Sequence, residues 1–436
     1  MGANHTAIYG KQAEICLALV AELDRAVVES RRSADQMLAA FYRRHREYGS
    51  RDRRFFSNAV FSWFRWRGWL QTPSREHVAA AILLDATAIP PQVEFMLENS
   101  AISRSGLNPL GPLSINAKAA GLQDLLKCGP LDNARLVPGW FPGLLYTPDP
   151  DEAANHLEAC IGAFQARPPA WLRIRSDQDR ELRSFLAEME IETGNHPFME
   201  QAVYIKGSVN RDLTQMRGAE PQDLASQCVG LCCNPRPGEQ WWDACAGAGG
   251  KSLHLADLMN DDGLILATDI RPSILNQLSK RLNRNKYHCV RISLLKGSAG
   301  LPAEAALQAG PAPGQYFDGV LVDAPCSGSG TWHRSPDARW RTDADQVRNY
   351  ALIQGNLLEQ ASARVKPGGR LVYSTCSLTA LENNEQIKIF LEKHGDFKPD
   401  PVFNPLTHQQ TGGQIWIWPW EWNCNGMFIA VMKKSK

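Results

Sequence analysis

From about Gln222 to its last residues the chain repeats one pattern: an apolar run, a short turn, then a helical stretch. The segments are EQWWDACAGAGGKSLHLADLM, GLILATDIRPSILNQLSKRL, CVRISLLKG, FDGVLVDAPCSGSG and GGRLVYSTCS. Strands that alternate with helices imply a parallel sheet wrapped by helices. The last two apolar runs, QIWIWPW and GMFIAVM, follow one another with no helix between them, which predicts antiparallel strands closing that sheet.

At 436 residues the whole chain is too long for one ordinary core, so two or three domains are expected. The first third is helical by periodicity, with apolar positions three and four apart in AEICLALVAELDRAVV and again in FFSNAVFSWFRWRGWL. Between Arg31 and Arg67 there are ten Arg against three acids. A basic, aromatic-interleaved helical face that includes Arg43, Arg44, Arg53 and Arg54 can grip phosphates and stack on unpaired bases. The plainer alternative makes Phe61, Trp63 and Phe64 core and the arginines a solvated face. Pro and Gly crowd 107–150 (NPLGPL, VPGWFPGLLYTPDP) and suggest connecting loops. Segment 168–217 then supplies a strand (PPAWLRIRS), an amphipathic helix from Asp179 to Met189 and another strand (QAVYIKG). The expected organisation is an all-α domain over 1–145, a small α/β, RRM-like module over 146–220 and the parallel-sheet domain over 221–436.

Composition excludes several classes. Hydrophobic residues at 44% and charged residues at 21% describe a chain able to bury cores throughout, not a disordered scaffold. Its apolar runs are too short for a membrane span, and the first twenty residues lack the apolar stretch of a signal peptide. The 11 cysteines lack framework spacing and form no C-x-x-C pair, so neither a disulfide scaffold nor a metal site is favoured and a reducing cytoplasmic setting fits. Net charge of +1 decides nothing about partners.

In Asp243-Ala-Cys-Ala-Gly-Ala-Gly-Gly-Lys251 a strand ends, a Gly-rich turn follows and a helix begins. Such glycines let backbone approach a ligand, and the helix start offers unpaired N–H groups. The next strand, LILATD, ends in Asp269 about twenty residues on, where a carboxylate can take both hydroxyls of a ribose. The spacing lacks the dinucleotide fingerprint G-x-G-x-x-G, which favours an adenosyl cofactor without a pyrophosphate over NAD. S-adenosylmethionine meets these requirements, with Cys245, Ala246, Gly247, Ala248, Gly249, Gly250, Lys251 and Asp269 as its candidate contacts, joined by Ser298 after the third strand and Asp323 at the end of the fourth.

The fourth strand ends in Asp323-Ala-Pro-Cys326 and the fifth in Ser374-Thr-Cys376. If these strands are neighbours, both thiols face one cleft at the carboxyl end of the sheet. Two core cysteines are the bland alternative; the paired placement at strand ends, one beside an Asp, favours chemistry. His333, Arg334 and Arg339 follow the Cys326 loop and either hold RNA phosphate or anchor a loop.

DACAGAGGK, DAPCSGSG with its HRSPD tail, STCS, and PQDLASQ before the first strand together resemble the RNA 5-methylcytosine methyltransferases of the Sun/RsmB type, strongly over 218–436. SRDRRFFSNAVFSWFRWRGWL resembles more loosely the antiterminator-like RNA-binding domain that bacterial members carry. The resemblance implies a class I (Rossmann-like) methyltransferase fold acting on C5 of cytosine in RNA, commonly ribosomal RNA. It implies Cys376 as the nucleophile at C6, Asp323 assisting at N3, and Cys326 assisting loss of the C5 proton and release of the enzyme. Two departures stand out: Ala248 where the family has Pro, and Gly297-Ser298 where it has an acidic residue, which bears on the adenine contact. A catalytically silent RNA-binding factor on the same fold and a DNA cytosine methyltransferase are the rival readings.

Overall fold

The computed structural model describes residues 3–98, 100, 102, 107–206, 218–295 and 311–436. The chain divides into two compact units. Unit 1 comprises residues 1–167 together with 331–344, and unit 2 comprises 168–330 and 345–436.

Unit 1 is helical: α1 Ala3–Ser30, α2 Ala34–Arg44, α3 Ser50–Leu70, α4 Arg75–Asp85, α5 Pro91–Met96, α6 Ile115–Leu126, the short α7 Phe141–Leu144 and α8 Ala153–Gln165. Its helix starts follow ordinary capping chemistry, with Ser33, Ser74 and Ser114 accepting a backbone N–H three residues on. The face of α3 that carries Trp63, Phe64 and Trp66 is fully buried, so these aromatics are core. Two arginines of the basic stretch pair within the unit, Arg65 buried and Arg67 half-buried. Arg65 pairs with Asp85, and Arg67 pairs with Asp24, which also accepts the Trp63 indole N–H. The others divide differently: Arg31, Arg32, Arg43, Arg44, Arg46, Arg51 and Arg54 are exposed, while Arg53 is half-buried, donating to the Tyr48 carbonyl and lying over the Tyr42 ring. Beside them Phe41, His45 and Tyr48 stack at 4.5–5.7 Å between centroids.

Segment 331–344, which contains the HRSPD tail, belongs to unit 1. Trp332 sits among Trp140, Phe141 and Phe164 at 4.7–5.8 Å. Arg339 is fully buried and donates to the carbonyls of Leu136, Phe164 and Trp332. Of the two readings open for this tail, His333 and Arg339 take the anchoring one, being 3% and 0% exposed; Arg334 is exposed.

Unit 2 holds two larger sheets. The smaller is antiparallel in the order β2-β3-β1-β4, from β1 Ala170–Ile174, β2 Thr193–Asn195, β3 Ala202–Ile205 and β4 Ala219–Pro221, with helix α9 Asp179–Glu188 after β1. The larger is built from β5 Gln240–Asp243, β6 Leu264–Asp269, β7 Val290–Leu294, β8 Phe317–Asp323 and β9 Val365–Thr375, all parallel, in the order β9-β8-β5-β6-β7. After β10 Phe397–Pro399 and the small pair β11 Val402–Phe403 and β12 Gln410–Thr411 come β13 Gln414–Ile417 and β14 Met427–Lys434. The two late apolar runs are β13 and β14; β14 runs antiparallel to β9, β10 and β13. Helices α10 Leu224–Cys233, α11 Gly250–Leu258 and α12 Pro272–Asn285 contribute to the apolar layer on one face, where Cys228, Cys232 and Cys233 pack as small hydrophobes. The architecture is the doubly covered α/β sheet that the strand–helix alternation requires.

Candidate active site

Strand order reverses at β5, with β6 and β7 on one side and β8 and β9 on the other. Ligands of open α/β sheets bind at such a switch point, outside the carboxyl ends of the strands. The Gly-rich turn leaves β5 there and Asp323 ends β8 there. Lys251, in the first turn of α11, donates its Nζ to Asp323 Oδ2 at 2.6 Å, and Ser374 Oγ donates to Asp323 Oδ1 at 2.8 Å. Burial works against the Lys251 ammonium, but Asp323, Asp243 and Cys376 outweigh it and hold its pKa above the usual lysine value.

The Gly-rich loop is pinned from behind. Ala246 N–H donates to Thr268 O at 2.8 Å, Gly247 N–H to Asp269 Oδ2 at 3.0 Å, and Arg281 Nη1 to Ala248 O at 2.6 Å. Arg281 is itself paired with Glu220 of β4, so the small sheet braces the loop. Gly249 has φ of +84°, and a Cβ there would lie 2.1 Å from Leu278, so only glycine serves. Toward the ligand side there is room among the described residues: a Cβ on Gly247 would meet only the Arg271 guanidinium at 3.8 Å, and one on Gly250 none of them within 4 Å. Asp269 is 5% exposed. Burial would raise its pKa, but Arg271 and the Gly247 N–H hold it below the usual carboxylate range. Arg271, largely exposed, covers both carboxylate oxygens at 2.9 Å, so a ribose reaching Asp269 must share or displace that guanidinium. An open glycine turn, a helix start and an anionic carboxylate at the next strand end form a donor and acceptor set that fits an adenosyl group. Ser298 lies outside the described residues.

The two half-buried cysteines meet. Cys326 Sγ and Cys376 Sγ are 3.3 Å apart, on the loops that follow the neighbouring strands β8 and β9. Gly330 ties the loops, its N–H donating to Cys376 O at 2.8 Å while its O accepts Gly426 N–H at 2.8 Å. A Cβ at Gly330 would lie 2.2 Å from Gly426 O, so the crossing needs glycine. The hydrogen bond with Cys376, burial and the nearby charges of Cys376 and Glu382 push the Cys326 thiol well above its ordinary pKa.

The structure thus brings Cys326 onto Cys376 and Lys251 onto Asp323 at the carboxyl ends of the neighbouring strands β8 and β9, with residues 245–250 and Asp269 on the loop after β5 and at the end of β6. Sequence reasoning passed over Arg271, Ser374 and Glu382, and treated Asp243 only as the start of the Gly-rich string. Asp243 is fully buried, accepts Ser252 Oγ at 2.6 Å, and is pushed by burial up to about 7. Among the described residues no group of three or more His, Cys, Asp or Glu side chains is arranged to hold a metal ion.

Comparison with known proteins adds independent findings. The family described as 16S rRNA methyltransferase RsmB/F matches residues 231–433. The "Probable ribosomal RNA small subunit methyltransferase B" of Synechocystis sp. is 34% identical over 64% of this chain, and the match takes in 63% of that protein's own length, less than two thirds. The "Ribosomal RNA small subunit methyltransferase B" of Shewanella oneidensis is 32% identical over 69% of this chain and 67% of its own. A solved structure, that of PH0851, shares the fold over 98% of this chain and 99% of its own, with a TM-score of 0.72 and 23% identity.

Proposed function

We propose, for a chain that belongs to the 16S rRNA methyltransferase RsmB/F family, that it methylates C5 of a cytosine in RNA, most fittingly ribosomal RNA, using S-adenosylmethionine. The observation that supports this most is the contact of two sulfurs, 3.3 Å apart, at the ends of adjacent strands, beside the Lys251–Asp323 pair. Neither a core role nor an RNA-binding role calls for thiols so placed.

Cytosine C5 is a poor nucleophile, and covalent addition at C6 turns it into an enamine carbon. Cys376 is the group that adds: its thiolate forms the S–C6 bond while N3 takes a proton or hydrogen bond from the Asp323–Lys251 pair. When bound against residues 245–251 and Asp269, S-adenosylmethionine supplies the electrophilic methyl group. Cys326, acting as the base in its thiolate form, then takes the C5 proton while the C6–S bond breaks, which restores the C5=C6 double bond and frees Cys376 as a thiolate. The target base has to leave any stack to enter the crevice, so the substrate site is single-stranded or opened.

Transfer of tritiated methyl to RNA, with duplex DNA as the competitor substrate, tests the reading, and bisulfite sequencing of ribosomal and transfer RNA from a deletion strain locates the base. Methylation of duplex DNA instead, or of no nucleic acid, removes it.

Two further outcomes are expected. Asp269→Ala loses charge-assisted hydrogen bonds worth on the order of 1.5–3 kcal/mol each, so cofactor affinity in calorimetry should fall at least roughly tenfold. Unchanged affinity in a folded variant takes Asp269 out of the site. The exposed arginines of unit 1 should contribute salt-dependent, sequence-independent affinity for RNA. Changing Arg43, Arg44, Arg51 and Arg54 to Gln should flatten the plot of log affinity against log salt by about 0.7 for each phosphate no longer neutralised. An identical slope returns them to a solvated face.

A further inference from the structure

Two glycines flank Ala248 in the Gly-rich loop, Gly247 with φ of +55° and Gly249 with φ of +84°. A stretch so rich in glycine has many backbone states open to it, and something has to select one. The peptide that joins Ala248 to Gly249 is held at both ends: its N–H donates to Ala246 O at 2.8 Å and its carbonyl accepts Arg281 Nη1 at 2.6 Å. The C=O and N–H of a planar trans peptide point opposite ways, so turning this unit over would forfeit both bonds.

Arg281 is in turn aimed by a carboxylate. Its Nε and Nη2 donate to Glu220 Oε2 at 3.1 and 2.6 Å, while Nη1 meets Ala248 O. A guanidinium is planar, so bonds on one edge fix the direction of the remaining N–H groups. Glu220 is 1% exposed and lies in β4 of the small sheet. Its other oxygen takes Arg284 Nη2 and Asn285 Nδ2, and Asn285 Oδ1 accepts the Gly218 N–H at 3.1 Å. These partners come from one end of α12, where positions 281, 284 and 285 share a face. The small sheet has a second hold on the same region. Arg173 of β1, fully buried, donates Nε to Gln222 Oε1 at 2.7 Å and pairs with Asp257 near the end of α11, the helix that begins at Gly250.

We propose that Arg281, oriented by Glu220, is a positioning residue that holds the Gly-rich loop in its ligand-binding shape, so that the small sheet is a working part of the cofactor site. The proposal rests on the reading of residues 245–251 as the S-adenosylmethionine loop. Arg281 acts through the Ala248 carbonyl: a loop ordered before the ligand arrives loses less conformational freedom on binding, and the affinity is higher for it.

Two neighbouring arginines separate this role from a merely structural one. Arg281→Met and Arg284→Met each take one guanidinium from Glu220, and the first also releases Ala248 O. Both should lose comparable stability in urea, because each leaves the buried carboxylate one partner short. In calorimetric titration of the full chain with S-adenosylmethionine, Arg281→Met should bind about tenfold more weakly, and Arg284→Met should stay within about threefold of the unsubstituted protein. With no cofactor present, backbone amides of 246–253 should exchange hydrogen about threefold faster or more in Arg281→Met, and at the unsubstituted rate in Arg284→Met. Arg281→Lys keeps a cation beside Glu220 and carries the test if the Met variant folds poorly; without the planar fork it should bind the cofactor about threefold more weakly or worse. Affinity within about twofold of the unsubstituted protein's in a folded Arg281 variant overturns the proposal. So does an equal loss in Arg284→Met, which would mean that taking any cation from Glu220 loosens the whole region. Failure of the cofactor reading shows separately, as no binding by the unsubstituted protein, and amide exchange in the loop still decides whether Arg281 holds it.

Discussion

Cys376→Ala should abolish methyl transfer, lowering kcat by a factor on the order of 10⁴, or about 5 kcal/mol on the barrier. Without the sulfur no bond forms at C6, C5 never gains enamine character, and no neighbouring group can replace that step. Cys326 lies 3.3 Å away, but the hydrogen bond with Cys376 and burial push its thiol well above the ordinary pKa, so it is a poor substitute nucleophile. Cofactor affinity should change less than about twofold, because residues 245–251 and Asp269 are untouched, and a half-buried cysteine contributes little to the core. Single-turnover kinetics with tritiated cofactor, alongside calorimetry on the same preparation, separate the two quantities. Residual turnover above one per cent would mean that Cys376 is not the nucleophile.

Cys326→Ala should have the opposite visible effect. Addition and methylation still proceed, but the C5 proton has lost the group that assists its departure, and general acid–base assistance of this kind is worth about 10²–10⁴ in rate. Enzyme should therefore accumulate covalently on its RNA and survive denaturing electrophoresis as a shifted band. The bland alternative, two packing cysteines, expects slight destabilisation from either change and no adduct. If Cys376→Ala traps RNA and Cys326→Ala does not, the nucleophile lies at the end of β8, the arrangement of DNA cytosine methyltransferases.

The strands that carry these groups were legible because alternation of apolar runs and helical stretches is a local property, and Asp269, Asp323, Cys326 and Cys376 all fall at strand ends that the pattern marks. The antiparallel closure by β13 and β14 was legible for the same reason. What local pattern cannot carry is partnership between distant residues. Glu382 reads as one acid in an unremarkable loop until Ser327, some fifty positions earlier, is seen to bond to it. Arg271 reads as a helix-start arginine, yet it covers the carboxylate assigned to the ribose. Arg339 offered two readings, and only burial against three carbonyls separates them. The short strands β2 and β4, three residues each, are too brief for periodicity to register.

The membership of 331–344 in unit 1 bears on how the chain matures as it is made. A ribosome delivers sequence from one end, and domains generally fold as they emerge. Here the aromatic nest of Trp140, Phe141 and Phe164 waits for Trp332, and the carbonyls of Leu136 and Phe164 wait for Arg339. The helical unit therefore stays incomplete until nearly all of the parallel strands have been synthesised, with only β9 of that set still to come. Long-range closure of this kind slows folding and exposes apolar surface in the interval. The same tail that leads away from Cys326 is the last piece of a core begun some two hundred residues earlier, so neither unit of this chain is finished by a contiguous stretch of translation.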